Sequence, residues 1–172
     1  MCQATDLDAF AGRLVHAAHK QLFDYWRSKA QPGRLPGRKD IDPIEIADLL
    51  PRIGLLDVLR DAAGTMFRYR LLGTGITARA GRDVTGKRFD ELYEGRYLDR
   101  QVKLYREIAD LGTPFMSKAT FPLERDYIQY DRLVLPLASD GRVVDVIMFM
   151  LVFDDSVPPV LWPTPKKPPD RQ

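Results

Sequence analysis

The chain has 172 residues, of which 45% are hydrophobic, 29% charged and 10% aromatic, with a formal net charge of +2. This composition fits one folded domain with extensions and a sizeable core, and it excludes a disordered protein. Basic and acidic residues are interleaved, without the concentrated positive stripe that neutralising many nucleic-acid phosphates requires.

At the N terminus, Met1-Cys2-Gln3-Ala4-Thr5-Asp6 lacks the basic residues and apolar run of a signal peptide. Cys2 is the only cysteine, so no intrachain disulfide can form, and a cytosolic location is expected. Over residues 6–30, Leu7, Phe10, Ala11, Leu14, Ala18, Leu22 and Tyr25 recur at three- and four-residue steps, which predicts one amphipathic helix. Phe23 and Trp26 widen its apolar face, and Gln31-Pro32-Gly33 stops it. A basic linker covering 34–39 completes an N-terminal segment, 1–40, ahead of a domain at 41–154.

Asp42-Pro43-Ile44-Glu45 predicts a helix start: Asp42 caps, Pro43 has no N–H to lose, and Glu45 reaches back to the cap. Pro51 is expected to end this helix after two turns. Residues 53–59 and 65–72 read as strands joined by the turn 60–64 into an antiparallel hairpin. Short helices are expected at 74–80 and 89–93, separated by a turn at 81–86. A longer helix over 97–111 carries Leu98, Val102, Tyr105 and Ile108 on one stripe.

Three strands follow at 115–121, 127–137 and 143–153, the last two joined by a hairpin at Ser139-Asp140-Gly141-Arg142. The last strand is apolar at nearly every position, which predicts burial on both faces and a central place in the sheet. At eleven residues, 143–153 is also far shorter than the ~20 needed to cross a bilayer. Residues 155–172 contain Pro158, Pro159, Pro163, Pro165, Pro168 and Pro169 and are expected to form a flexible tail.

Two glycine motifs imitate phosphate-binding loops. Gly81-Arg82-Asp83-Val84-Thr85-Gly86-Lys87 has the P-loop spacing, but Arg88 stands where Ser or Thr must bind Mg²⁺, and a helix rather than a strand precedes it. Gly73-Thr74-Gly75-Ile76-Thr77-Ala78 loosely fits a dinucleotide fingerprint, but the strands after it form an antiparallel set. His16 and His19 share a helix without a third ligand, so no metal site is expected. A nucleophile–base pair is equally lacking, which argues against an enzyme and places a nucleotide-binding enzyme last among the readings.

The polar residues that interrupt apolar strands, Tyr69, Arg70, Ser117, Tyr130 and Arg132, are the candidate ligand-binding residues. Alternation places Tyr69 with Phe67 and Leu71 on one face of its strand, and Arg70 with Arg68 and Leu72 on the other. Arg70 and Arg132 could instead form ion pairs with Asp57 or Asp145; an arginine facing a cavity would favour a carboxylate or phosphate. The apolar stripe of the first helix either covers the sheet or pairs with a second copy. Leu14, Leu22, Tyr25 and Trp26 are the candidate dimer-interface residues.

The order of elements, together with Tyr25-Trp26, Arg34, Pro36-Gly37-Arg38, Ile41-Asp42-Pro43, Leu49-Leu50-Pro51, 68–74 (Arg-Tyr-Arg-Leu-Leu-Gly-Thr) and 81–86, resembles the PAS domain superfamily and a bacterial single-PAS family within it. The resemblance covers about residues 22–153. It implies an α+β fold: a five-stranded antiparallel sheet flanked by short helices and one longer helix, with the N-terminal amphipathic helix added. It also implies a stand-alone cytosolic sensory module that binds a small molecule, a protein partner or both, with homodimerisation through flanking helices; a ligand-free interaction adaptor is the alternative. The resemblance identifies no cofactor. A covalent flavin adduct would need a pocket cysteine that the chain lacks, and the long helix has no histidine to ligate haem.

Overall fold

The strand that comes last in sequence, Val146–Phe153, is the middle of the sheet. The computed structural model describes residues 4–122 and 127–153. Its strands are β1 (Ile53–Asp61), β2 (Gly64–Leu72), β3 (Phe115–Pro122), β4 (Tyr127–Leu137) and β5 (Val146–Phe153), all antiparallel in the order β2-β1-β5-β4-β3. Side chains alternate across the central strand. Val146, Met148 and Met150 enter one apolar cluster, while Ile147, Phe149 and Leu151 enter another on the opposite face. Gly54 of β1 lies under Phe149, where a Cβ would stand 2.2 Å from the ring, so only glycine fits there.

The outer face is covered by the N-terminal segment, which forms two helices, α1 (Ala4–Gly12) and α2 (Ala17–Lys29), in place of the single helix the periodicity predicts. Gly12 is a weak helix position. Immediately after it, Arg13 and Leu14 donate to carbonyls three residues back, a tightened turn that closes α1. Chain reversal here brings Phe10 and Leu14 into the same cluster as Leu22, Phe23 and Trp26, with the Phe10 and Phe23 rings 5.2 Å apart. Leu133, Leu135 and Leu137 of β4 form the floor beneath them.

The residues expected at a dimer interface take part in packing within the protomer. Leu14, Leu22 and Trp26 are buried inside the protomer, and the Trp26 indole N–H donates to the Pro136 carbonyl at 2.9 Å. Tyr25 is half-buried, and its hydroxyl accepts from the Asp42 N–H at 2.7 Å and donates to the Asp42 carbonyl, tying α2 to the linker. The Asp42 carboxylate does cap, accepting from the Ile44 N–H, but the segment forms two short 3₁₀ turns, Pro43–Ile46 and Leu50–Arg52, with Pro51 inside the second rather than ending a helix. Glu45 pairs with Lys29 instead of reaching back to the cap.

The inner face carries α3 (Thr74–Ala80), α4 (Phe89–Leu92) and α5 (Gly95–Leu111). Gly73 enters α3 where a Cβ would stand 2.2 Å from the Leu50 carbonyl oxygen, so the strand can turn into the helix only by close backbone approach. Strict alternation along β2 fails at a bulge. Leu56 pairs with Tyr69 but Leu55 with Leu71, which leaves Arg70 as the extra residue. Leu72 rather than Leu71 therefore joins Phe67 and Tyr69 on the inner face, and Leu71 is left exposed. β5 starts three residues later than the apolar run suggests, because Asp140 holds a longer connection by accepting from the Arg142 and Val143 N–H groups. The expected proline-rich tail lies outside the described residues.

Candidate functional site

Two strands, one helix and the residue after α4 bring phenol groups to one place between the sheet and the inner helices. Tyr97, Gln101 and Tyr105 follow one another at four-residue steps along one side of α5. Tyr69 comes from β2, Tyr93 from the residue after α4, and Tyr130 from β4. Five of the seven tyrosines in the chain thus converge on a cavity of about 30 Å³, with Phe89, Phe149 and Leu151 among its apolar walls. Arg132 of β4 completes it.

Arg132 is only 5% exposed. One terminal nitrogen donates to the Gln101 side-chain oxygen and to the Tyr105 hydroxyl, the other to the Ser117 hydroxyl, all at 3.2 Å. The guanidinium sits over the Tyr105 ring, 5.3 Å from its centre. Its Nε is buried without a hydrogen-bond partner among the described residues. Among the described residues no carboxylate pairs with it; every partner is neutral.

The phenols supply no counter-charge. Burial pushes the Tyr69 and Tyr93 hydroxyls well above the ordinary phenol value, and the two oxygens share a proton bridge at 2.9 Å. Burial also raises Tyr97, and it pushes Tyr130 up to about 12 against the opposing pull of Arg132. An arginine stays protonated under all ordinary conditions. The cavity consequently holds one fixed positive charge among neutral hydroxyls, an environment that favours a small anion.

Of the residues expected to bind a ligand, Tyr69, Tyr130 and Arg132 line this cavity, and Ser117 stands behind Arg132 as its hydrogen-bond acceptor. Arg70 does not join them. It lies on the outer face, where it and Arg68 grip the buried carboxylate of Asp57 from two sides, so the ion-pair alternative is the one found for it. Arg132 pairs with neither Asp57 nor Asp145; Asp145 accepts from the Ser139 N–H. Tyr93, Tyr97, Gln101 and Tyr105 were not among the expected site residues. For α5 the signal is the row of 97, 101 and 105, which meets the apolar stripe at Tyr105 and reads as ordinary amphipathicity until the partner strand is known.

The glycine motif at 81–87 is a structural turn. Gly86 N–H donates to the Tyr69 carbonyl at 2.7 Å and the Tyr69 N–H to the Lys87 carbonyl at 2.9 Å, so the loop pairs with the bulged strand. The Lys87 ammonium reaches Glu91. On the outer face His16 bonds Asp131 at 2.8 Å and His19 is buried beside it, but no group of three metal-ligating residues occurs among the described residues. Nor is any described helix long and apolar enough to cross a membrane.

A family model described as a PAS domain matches residues 14–151. Among solved structures, the PAS domain from Bordetella pertussis BvgS is 12% identical with a TM-score of 0.50, over 64% of this chain and 82% of that one. A Rhodobacter sphaeroides LOV protein is 10% identical with a TM-score of 0.46, over 66% and 68%. At such identities the likeness concerns the fold alone. No curated protein matches the chain.

Proposed function

The chain belongs to the PAS domain family, and from that premise we propose that it is a sensory module in which occupancy of the tyrosine-lined cavity alters the contacts its helical layers offer to a partner. The observation that carries this reading is Arg132, a buried guanidinium that lines a cavity beside α5 and whose Nε has no partner among the described residues. Strand β4 supplies a route outward. Arg132 faces the cavity, while its neighbour Asp131 faces the opposite layer and holds His16 at the start of α2. A ligand that prefers one placement of β4 against α5 would shift the seating of α2 only to the extent that its affinities for the two placements differ.

Native mass spectrometry of freshly purified full chain, followed by ligand-detected NMR with a mixture of cellular metabolites, tests this reading. A bound small molecule whose binding is lost in Arg132→Gln supports it. An empty protein whose cavity tyrosines respond to no metabolite contradicts it.

The size of the cavity favours a second reading. At about 30 Å³ it has room for roughly two waters, which suits a ligand-free interaction module with a hydrated core arginine. A flavin does not fit this space, so the site as it stands does not suit that cofactor. Gln101→Phe, which fills the polar edge, separates the two: an adaptor keeps its partner binding and a sensor loses its ligand response.

A further inference from the structure

We propose that the ligand of the cavity is a small monocarboxylate of the formate or acetate class, held as its anion on the Arg132 guanidinium; this rests on the sensory reading above.

Three properties of the site converge on that class. The first is charge. Arg132 brings one positive charge, no described carboxylate answers it, and its neutral partners stand at 3.2 Å. Charge-assisted bonds to an arginine close to about 2.7–2.9 Å, so an anion would replace long neutral contacts with short charged ones. One fixed charge matches a monoanion, whereas a dicarboxylate or a doubly charged phosphate would bring a second charge that nothing buried here balances.

The second property is the donor pattern. Nε and one terminal nitrogen of a guanidinium form the planar fork that accepts both oxygens of a carboxylate. At Arg132 the Nε is the nitrogen without a partner, and one terminal nitrogen holds only the Ser117 hydroxyl. Ser117 can turn its hydroxyl elsewhere, which frees the fork without breaking an ion pair. Phenol hydroxyls, protonated at neutral pH as any tyrosine is, line the same cavity.

The third property is size. A cavity of about 30 Å³ takes roughly two waters, or an anion of three or four heavy atoms. Phe89, Phe149 and Leu151 close it on the apolar side, where a methyl group is accepted and a second polar group is not.

The test uses full chain labelled with ¹⁵N-arginine and follows the Nε–H resonance of Arg132, assigned by its loss in Arg132→Lys. Sodium formate and sodium acetate are titrated at constant ionic strength against sodium chloride, with formamide and acetamide as neutral isosteres. The expected result is a saturable downfield shift with both carboxylates in the millimolar range, and at least about tenfold weaker binding of chloride and the amides. Should Arg132→Lys fail to fold, Ser117→Ala assigns the resonance instead, because it removes a hydrogen-bond partner of that guanidinium. Equal saturation by the amides or by chloride would overturn the carboxylate assignment, as would an unmoved resonance in the carboxylate titrations. If a metabolite mixture still perturbs the cavity tyrosines, the sensory reading stands without this ligand class; if nothing does, both fail.

Discussion

Shortening Leu22 to alanine tests whether α2 belongs to the core of its own protomer. Leu22 is fully buried, packed in one cluster with Phe23, Trp26 and the outer-face leucines of β4. Burial of this kind leaves a cavity when the side chain is cut back, and such a leucine-to-alanine change costs about 2.7–5.0 kcal/mol. Against a domain stability of roughly 5–15 kcal/mol the variant should still fold. At about 3 kcal/mol, its thermal midpoint should fall by roughly 6–12 °C for a chain of this size. Urea unfolding followed by tryptophan fluorescence measures the loss directly, because Trp26 reports from the same cluster, and light scattering across a dilution series follows the mass. The expected outcome is a lower midpoint with an unchanged slope and a mass the same as wild type. A loss below about 0.5 kcal/mol, the level of an ordinary surface substitution, together with a variant that dissociates on dilution where the wild type does not, would refute the packing argument.

Gly54→Ala should destabilise by about 1–3 kcal/mol or more, since its Cβ would meet the Phe149 ring at 2.2 Å; the double variant Gly54→Ala/Phe149→Leu should recover part of the loss in the same urea assay. Arg70→Ala should cost no more than about 1 kcal/mol, because half-exposed Arg70 leaves Arg68 on Asp57, and it should leave binding at the cavity unchanged in calorimetry. His19 is held to a pKa of about 4, first by burial and then by the nearby His16. Its folded value lies below the unfolded 6.5, so the unfolded state takes up the proton first and stability is lost as pH falls from 6.5 towards 4. The full window corresponds to about 3 kcal/mol. His19→Gln should flatten that part of the stability–pH curve, and an unchanged slope would show that another group is responsible.

The sheet was legible because its signals are local. Apolar runs and turn residues mark β1 and β2, and the unbroken apolar run of β5 implies two covered faces, which the clusters on either side of Ile147 and Met148 bear out. Helix periodicity located the apolar stripe of the N-terminal segment but not its break: a stripe of 3.6-residue period looks the same whether the chain continues past Gly12 or folds back. It also could not distinguish a stripe that covers a sheet from one that pairs with a copy, since both bury Leu22 and Trp26. The bulge at Arg70 depends on pairing with β1 and leaves no mark in β2 alone, which is why Leu71 and Leu72 exchanged faces. Arg132 stood out as a charge in an apolar strand. Tyr69 and Tyr130 stood out as well, but the neighbours on α5 did not, because Tyr97, Gln101 and Tyr105 acquire a common meaning only when α5 is laid across β4.

In the proposed sensor the cavity and the outer helical layer respond together. Hydrogen exchange of the full chain, read by mass spectrometry with and without saturating sodium formate, tests that coupling most directly. Altered protection is expected of β4, which carries Arg132, of α5, which bonds it, and also of α2, which touches no part of the cavity but is tied to β4 through His16 and Asp131. Changes confined to the cavity segments, with α2 exchanging as before, would contradict it.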